Sequence, residues 1–282
     1  MCLLSCLPMA QAAPLRVMVV LSESGGAYQE FGSALQSKVS TQHSLHVVPV
    51  GDSVEHADLV IAVGMKAANA FASSAVPVLN VFVPRAGFET LQRAPSHVYS
   101  VIYMDQPMGR QLALISAVLP EVTDIGVLYS ARSAELESLG KLSSARRFTL
   151  HEQLVDQKHP LAKALSDLLV ESEVLFVLPD PAVYSSDTIR NILLETYRKK
   201  VPMIGLSPSY VRAGALCAVY STPQQIAQQA AEAIGQFADS GKLSASEYPR
   251  EFEVLVNTQV ARSLGLVIKD AEQLREEIGR KQ

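Results

Sequence analysis

"LFVLPDPAVYSSDTIRNILLETYRKKVPMIGLS", residues 175–207, contains two short apolar runs separated by a segment of helical length. The first run ends at Asp180, between Pro179 and Pro181, and the second ends at Ser207. Both runs are continuously apolar rather than alternating, which is typical of parallel strands that are covered on both faces. The stretch therefore predicts a strand–helix–strand unit of a parallel sheet.

The same alternation continues along the rest of the chain, which predicts an α/β fold. One helix is well delimited, because Pro223 stands at its first position and Gly241 follows its last apolar residue. The predicted strands are 15–22, 43–50, 58–64, 76–83, 98–105, 124–130, 148–155, 174–180, 202–207, 215–221 and 251–257.

Eleven strands are too many for one open sheet in a chain of 282 residues, and the pattern restarts near residue 98. We therefore predict two doubly wound lobes. No Gly/Ser linker or low-complexity tract separates them, so strand-like crossings and a hinge are expected to join the lobes.

Composition excludes several classes of protein. The chain is 48% hydrophobic and 18% charged, and its net charge is −4 with scattered Lys and Arg, which argues against a nucleic-acid partner. The motifs GxxxxGK[ST], GxGxxG, HExxH and CxxC are all missing. We therefore expect no cofactor and no metal site.

The N-terminal segment "MCLLSCLPMAQA", residues 1–12, is apolar and ends in the small-x-small pattern Ala10-Gln11-Ala12. We interpret residues 1–13 as part of a signal peptide, which predicts export. Two alternatives stay open: a ragged cytosolic N-terminus, and a lipoprotein box with Cys6 acylated as a membrane anchor. Removal of the signal would leave Cys217 as the only cysteine, which excludes an intramolecular disulfide. Its apolar surroundings predict a small buried side chain.

In open parallel sheets the ligand crevice lies beyond the carboxyl ends of the strands. The residues at these predicted ends are hydroxyls, aromatics, glycines and a few acids, and none is histidine. Such a set suits recognition of a small solute more than catalysis, which needs a nucleophile and an oriented base. The strand-end residues are 22–26, 64–65, 103–105, 130–133, 180–186, 207–210 and 220–222.

Individual strand-end residues allow more than one role. Asp180 is either a ligand contact or a turn residue that accepts backbone hydrogen bonds, and a metal role would need more oxygen ligands than nearby Asp187 supplies. The tyrosines Tyr103, Tyr184, Tyr210 and Tyr220 are either cleft residues or ordinary core and rim aromatics. A serine hydrolase is disfavoured because the near-motif Gly205–Ser209 has a proline directly after its central serine.

Four stretches resemble a known family: "HADLVIAVGMKAANAF" (56–71), "IGVLYS" (125–130), the long segment 174–234 and "VNTQVARSLGLVI" (256–268). They are similar to the substrate-binding proteins of ABC transporters, a family that includes tryptophan- and tyrosine-binding members. The resemblance implies a type I periplasmic binding protein fold, with two Rossmann-like lobes, three crossings and a ligand held between lobes that close on it. By that model lobe one comprises 14–102 plus 218–247, and lobe two comprises 103–217 plus 248–282.

The resemblance also implies which positions contact the ligand. It points to Ser24, Met65, Ser133, Asp180, Ser207 and Tyr210, to which the strand-end tyrosines Tyr103 and Tyr184 are added. Many members have Thr-Asp-Asn where this chain has Pro179-Asp180-Pro181, so the acid is kept and its two polar neighbours are replaced.

The implied function is a periplasmic receptor that captures a small polar or aromatic solute, with an amino-acid-like solute as one possibility. It would deliver the solute to an inner-membrane ABC permease and touch the membrane only through that permease or a lipid anchor. A sensor module of the same fold, signalling to a membrane partner, is the alternative. An enzyme is the least favoured class.

Overall fold

The computed structural model describes residues 14–92, 94 and 98–280, so the predicted signal segment 1–13 and Cys6 lie outside the described residues. The strands are β1 (Arg16–Leu21), β2 (Ser44–Pro49), β3 (Leu59–Val63), β4 (Val78–Val83), β5 (Tyr99–Tyr103), β6 (Asp124–Tyr129), β7 (Thr149–Leu154), β8 (Val174–Phe176), β9 (Met203–Gly205), β10 (Cys217–Tyr220) and β11 (Glu253–Val256). The helices are α1 (Gly26–Lys38), α2 (Met65–Ala70), α3 (Arg85–Glu89), α4 (Met108–Val118), α5 (Ala134–Ser144), α6 (Leu161–Glu171), α7 (Ile189–Lys199), α8 (Pro208–Ala213), α9 (Pro223–Ser240), α10 (Thr258–Ser263) and α11 (Ala271–Gly279).

The chain divides into two compact units. Of the described residues, unit 1 contains those within 14–83, 90–103 and 223–247. Unit 2 contains the described residues within 84–89, 104–222 and 248–280. Apart from the short excursion 84–89, the chain therefore passes between the units three times.

Unit 1 is built on a parallel sheet with the strand order β2-β1-β3-β4-β5. Every residue of β3 and β4 is buried, which is why their sequences LVIAV and VLNVFV are almost entirely apolar. The edge strand β2 has no fully buried residue. On one face of the sheet α1 packs against α9, and on the other α2 contributes to a smaller core.

Helix α9 shows how the sequence pattern decides the packing. Ile226, Ala230 and Ile234 recur every four residues, so they lie on one face of the helix and are buried in the core of unit 1. The helix ends at Ser240 because Gly241 takes a positive φ of 67° and its N–H bonds to the Phe237 carbonyl. Both predicted limits of this helix are confirmed.

Unit 2 repeats the scheme with the strand order β11-β10-β9-β8-β6-β7. Its strands pair in parallel except β11, which runs antiparallel to β10 at the edge. One face is covered by a core that includes Leu112 of α4 and Leu274 of α11. The other face is covered by a core that includes Leu168 of α6 and Ile192 of α7. With both faces covered, the α/β class predicted from continuous apolar runs is confirmed.

The structure shortens some predicted strands. The run expected at 174–180 pairs as a strand only at Val174–Phe176, with one further bond from Val177 N to the Ile204 carbonyl. Pro179 has no N–H to donate, and the Asp180 N–H turns back to the Leu178 carbonyl at 2.8 Å. The strand therefore gives way to a tight turn just where the predicted site begins.

The structure also places residues 218–222 differently from the predicted lobes. These residues were assigned to lobe one, but β10 pairs with β9 and β11 in the sheet of unit 2, and the chain returns to unit 1 only at Pro223. Tyr103, assigned to lobe two, ends β5 in unit 1. The choice of partner strand decides these boundaries, and the hydrophobic pattern does not indicate that choice.

Cys217 is fully buried and unpaired, as predicted, and burial raises the pKa of its thiol. Among the residues that the structure describes, no helix is long and apolar enough to cross a membrane. Within the same residues, no group of three or more His, Cys, Asp or Glu side chains is placed to hold a metal ion.

Asn257 links two short helices of unit 2, and its removal is a test of the packing there. Its Oδ1 accepts from the N–H groups of Gln259 and Val260 at 3.2 and 3.1 Å, and its Nδ2 donates to the Val211 carbonyl at 3.0 Å. We expect Asn257→Ala to lower the free energy of unfolding by about 1–2 kcal/mol in urea titrations followed by circular dichroism. Asn257→Ser keeps an oxygen that caps the helix and should recover about half of the loss. Equal losses in both variants would contradict the capping role.

Candidate functional site

Each sheet has a topological switch point, where the connections from two adjacent strands lead to opposite sides of the sheet. In unit 1 the two strands are β1, which leads to β2, and β3, which leads to β4. In unit 2 they are β6, which leads to β7, and β8, which leads to β9. Ligand crevices of open parallel sheets form at the carboxyl ends of such strands. The loops after β1 and β3, and those after β6 and β8, are therefore the first places to look for a site.

In unit 1 the two loops are joined by Ser22, which is only 7% exposed. Its N–H donates to the Val63 carbonyl at 3.0 Å, and its Oγ accepts from the Ala67 N–H at 2.9 Å. Gly64, between them, has a φ of 84°. A Cβ there would lie 2.7 Å from the Tyr28 Oη, so the backbone approaches that hydroxyl as only glycine allows.

Tyr28 extends this region from the first turn of α1. Its ring meets Phe82 edge-on with centroids 5.8 Å apart, and Phe82 meets Phe31 in the same way at 5.5 Å. Phe82 has a φ of 56°, at a break in the register between β4 and β5; a positive φ is rare for so bulky a residue. Burial and the nearby charge of Glu23 raise the pKa of Tyr28, so its hydroxyl stays protonated at neutral pH.

The predicted site residues of unit 1 are not all brought together. Ser24 lies in the exposed loop before α1, and no side chain caps that helix at Gly25. Met65 is the first residue of α2, at the end of the adjacent strand, and is partly buried. Ser24 and Met65 thus follow neighbouring strands. Tyr103 ends β5, which is separated from β3 by β4, so it lies away from the switch point.

In unit 2 the corresponding loops are joined by Asp180. Its Oδ2 accepts from the Ser130 N–H at 2.6 Å, and its Oδ1 accepts from the Ser130 Oγ at 3.0 Å. The Oδ1 also accepts from the N–H groups of Ala182 and Val183 at 3.1 and 3.3 Å. The carboxylate therefore fixes both its own turn and the loop that follows β6.

A cavity of about 180 Å³ opens at this junction, lined by residues 129–133 and 178–181. It brings together two predicted residues, Asp180 and Ser133. Ser133 begins α5, and its Oγ accepts from the Leu136 N–H at 3.2 Å. Arg132 is held at the rim, because its guanidinium lies 5.3 Å from the Tyr129 ring and 2.9 Å from the Glu152 carboxylate.

The two predicted tyrosines of unit 2 differ in burial. Tyr184 is 7% exposed within the core beside α6 and α7. Burial raises the pKa of Tyr184. Its N–H donates to the Asp180 carbonyl at 2.8 Å, and Tyr184 and Tyr210 pack in the same apolar core. Tyr210 is partly buried, and burial raises its pKa as well. A Cβ added at Gly205 would lie 2.4 Å from the Tyr210 Cβ, so the two residues are in close contact.

Ser207 precedes α8 and is partly buried, with no side-chain bond to the helix. Its carbonyl accepts from the Tyr210 N–H at 3.1 Å, so the two residues form one turn at the carboxyl end of β9. In unit 2 the structure therefore groups Ser133, Asp180, Tyr184 and Tyr210, with Ser207 on the neighbouring strand. Direct contact of any of them with a ligand stays a prediction.

Sequence reasoning missed two residues that organise these loops. Ser130 is one of the strand-end residues, but the family resemblance does not point to it; it follows β6 directly and donates two hydrogen bonds to Asp180. Tyr28 lies within α1 rather than at a strand end, so the strand-end pattern does not indicate it. The glycine at position 64, directly after a strand, is the sequence signal that indicates a close approach there.

The family is established by a match to the model described as ABC transporter substrate binding protein, which covers residues 47–275. The chain therefore belongs to the family of ABC transporter substrate-binding proteins, whose members bind small molecules and act with ABC permeases. No curated protein matches the sequence.

Solved structures agree on the fold. The ligand-free, open form of a substrate-binding protein with adhesive properties from Clostridium difficile is 16% identical, with a TM-score of 0.71 over 91% of this chain and 96% of that one. A Streptococcus pneumonia protein solved with L-Trp is 17% identical, with a TM-score of 0.63 over 93% and 98%. An arabinose-binding protein from Geobacillus stearothermophilus is 10% identical, with a TM-score of 0.59 over 88% and 98%. The fold is that of the type I periplasmic binding proteins.

Proposed function

We propose that this chain captures a small polar or aromatic solute in the periplasm and delivers it to an inner-membrane ABC permease. The observation that carries the proposal is the pair of switch points, each with its two loops joined by one polar side chain, Ser22 in unit 1 and Asp180 in unit 2. Rigid loops at these ends present hydroxyls and backbone amides in fixed positions, as solute recognition requires.

The proposed contacts in unit 2 follow from the hydrogen-bonding capacity that Asp180 and Ser133 keep after their bonds within the protein. The Asp180 carboxylate offers about four lone-pair sites. Three of the four bonds found go to Oδ1 and one to Oδ2, so Oδ2 keeps room for a donor such as a solute amine or hydroxyl. Ser133 uses its oxygen for the helix cap and keeps its proton for a carboxylate or carbonyl group.

Aromatic side chains supply the apolar part of the proposed site. Tyr210 is a partly exposed ring at a strand end of unit 2. Tyr103 is also partly exposed, but it ends a strand away from the switch point of unit 1, so we assign it an outlying contact only. Tyr184 lies deeper, so we assign it to the floor beneath Asp180 and Tyr210 rather than to the surface. Ser24, Met65 and Ser207 complete the proposed contacts, with Ser24 next to the uncapped first turn of the 13-residue α1, where an anionic group is favoured.

An amino-acid-like solute is the finer form of the proposal. Oδ2 of Asp180 suits an amine, the Ser133 hydroxyl suits a carboxylate, and Tyr210 suits a flat side chain. The neighbour solved with L-Trp supports this chemistry, and the arabinose-binding neighbour supports a polyhydroxyl solute as its main competitor. Capture by closure of the two units, export through the segment 1–13, lipidation at Cys6 and the absence of catalysis belong to the same proposal.

A thermal-shift screen of the purified chain against amino acids, sugars, nucleosides and small peptides tests the function. A solute at one hundred times its Kd stabilises the folded state by about 2.7 kcal/mol, which should raise Tm by about 5 °C or more. For any solute found, Ser133→Ala should weaken binding by about tenfold, since it removes one hydrogen bond of about 1.4 kcal/mol.

Ser144→Ala is the matched control, because Ser144 stands at the other end of α5 and its Oγ donates to the Gly140 carbonyl. It should bind the solute as the unaltered chain does. If no solute in the panel shifts Tm, the proposed function fails. Equal loss of affinity in both serine variants would instead show that the site lies elsewhere.

A further inference from the structure

A buried arginine lies near the three points, other than the excursion 84–89, at which the chain passes between the units; we call these points the crossings. The crossings are Tyr103 to Met104, Thr222 to Pro223 and Glu247 to Tyr248. Arg110, in the first turn of α4, is only 4% exposed. An arginine so far from water must be held by hydrogen bonds, because its charge loses hydration on burial.

The guanidinium of Arg110 contacts two of the crossings directly. Its Nη1 donates to the Gln106 Oε1 at 2.6 Å and to the Pro249 carbonyl at 2.9 Å, and its Nη2 donates to the Arg250 carbonyl at 3.2 Å. Its Cζ lies 4.3 Å above the Phe252 ring. Burial lowers the pKa of Arg110 to about 10, which still leaves the side chain charged at neutral pH.

The third crossing joins the same cluster through Ser221. The Gln106 Nε2 donates to the Ser221 Oγ at 2.9 Å, and that Oγ donates to the Glu251 carbonyl at 2.6 Å. Arg110, Gln106 and Ser221, with the backbone of residues 249–251, thus form a closed set that we call the crossing clamp. All of its members belong to unit 2.

A second link supports the clamp. The Arg85 N–H donates to the Asp105 Oδ2 at 2.5 Å, and the Arg85 Nη1 donates to the Tyr248 Oη at 3.0 Å. The excursion 84–89 therefore also ties two of the crossings together. On the unit 1 side the tie is made by backbone, since Tyr103 N donates to the Glu247 carbonyl at 3.0 Å and Glu247 N to the Val101 carbonyl at 2.8 Å.

We infer that Arg110 is a positioning residue that locks the unit 2 ends of all three crossings into one rigid assembly. Bending of the chain is then confined to the few bonds between the crossing clamp and the backbone pairing of Glu247 with Val101 and Tyr103, as is typical of hinges. The expected consequence for solute affinity rests on the function proposed above, whereas the locking itself does not depend on any solute.

Hydrogen exchange of the purified chain without solute tests the inference. In Arg110→Met, which keeps an apolar stem against Phe252 but removes three hydrogen bonds, we expect amides in residues 106–112, 216–222 and 249–256 to exchange about tenfold faster. Amides of α6 and α7, on the opposite face of the same sheet, should be unchanged. Unchanged exchange at the crossings, or equal acceleration throughout unit 2, would overturn the inference.

Arg147→Met is the matched control, because Arg147 also lies over an aromatic ring, that of Phe148, and donates to the Pro120 carbonyl, but contacts none of the crossings. It should leave exchange at all three crossings unaltered.

Ser221→Ala provides a second test should Arg110→Met fail to fold. It keeps Arg110 and should speed up amide exchange in residues 216–222 alone. No change in that segment would also overturn the inference. These exchange differences do not require a bound solute. Failure of the proposed function can therefore be distinguished from failure of this inference.

Discussion

Asp180→Ala should lower the free energy of unfolding by about 2–3 kcal/mol, because the substitution removes four hydrogen bonds to a carboxylate that joins two loops of unit 2. The Ser130 N–H, 2.6 Å from the lost oxygen, would be left to find another acceptor. Urea unfolding followed by circular dichroism measures the loss. Affinity for any solute found should fall at least tenfold, since both the anchor and the neighbouring Ser133 loop are affected.

Asp180→Asn is the matched control for this variant. Its remaining carbonyl oxygen can accept the turn amides of Ala182 and Val183, but the amide nitrogen cannot accept from Ser130. The control should therefore lose about half as much stability as Asp180→Ala. A loss below about 0.5 kcal/mol in Asp180→Ala would contradict the anchoring role, since that is the range of an ordinary surface substitution. Unchanged solute affinity would remove Asp180 from the site.

Gly64→Ala should destabilise unit 1 by about 2–4 kcal/mol, the sum of a left-handed backbone and a steric conflict. The new Cβ would lie 2.7 Å from the Tyr28 Oη and 2.8 Å from the Ser22 Oγ, so both side chains would have to move. Movement of Ser22 would break its bond with the Ala67 N–H. Urea unfolding of the variant, followed by circular dichroism, measures the effect.

Gly25→Ala separates the two causes. The backbone angles of Gly25 (φ 116°, ψ 179°) are close to those of Gly64 (φ 84°, ψ 169°), but a Cβ at Gly25 would meet no atom within 4 Å. This control should cost only the backbone term, about 1–2 kcal/mol. If Gly64→Ala is no more destabilising than Gly25→Ala, the close approach of Tyr28 and Ser22 to Gly64 is not a constraint on the fold.

The sequence was sufficient to predict the α/β class and the central strands, because strands buried on both faces must be continuously apolar. The edge strands β2 and β7 have no fully buried residue, and they were predictable only from their place in the alternation of strands and helices. The caps and stops at Asn257 and Gly241 were likewise predictable, since they depend on residues only a few positions away. The lobe boundaries were less accessible. Whether 218–222 belong to one unit or the other depends on which strand they pair with, and apolar runs carry no information about register.

The candidate site was predictable in position but not in detail. Strand ends of a parallel sheet meet at one edge, so Asp180 and Ser133 could be placed together from the sequence. The bond between Asp180 and Ser130 joins residues 50 positions apart, and the crossing clamp joins residues up to 140 apart. Such contacts depend on the folded chain, and no local pattern in the sequence indicates them.

The most direct test of the central claim is a hydrogen-exchange footprint of the purified chain with and without the solute found by thermal shift. The account predicts slower exchange in the loops at 22–28, 64–67, 130–136, 180–184 and 207–210, in both units and at the carboxyl ends of the strands. Exchange in α7 (Ile189–Lys199) should not change. Protection confined to one unit, or located on α7 and not on these loops, would contradict the account.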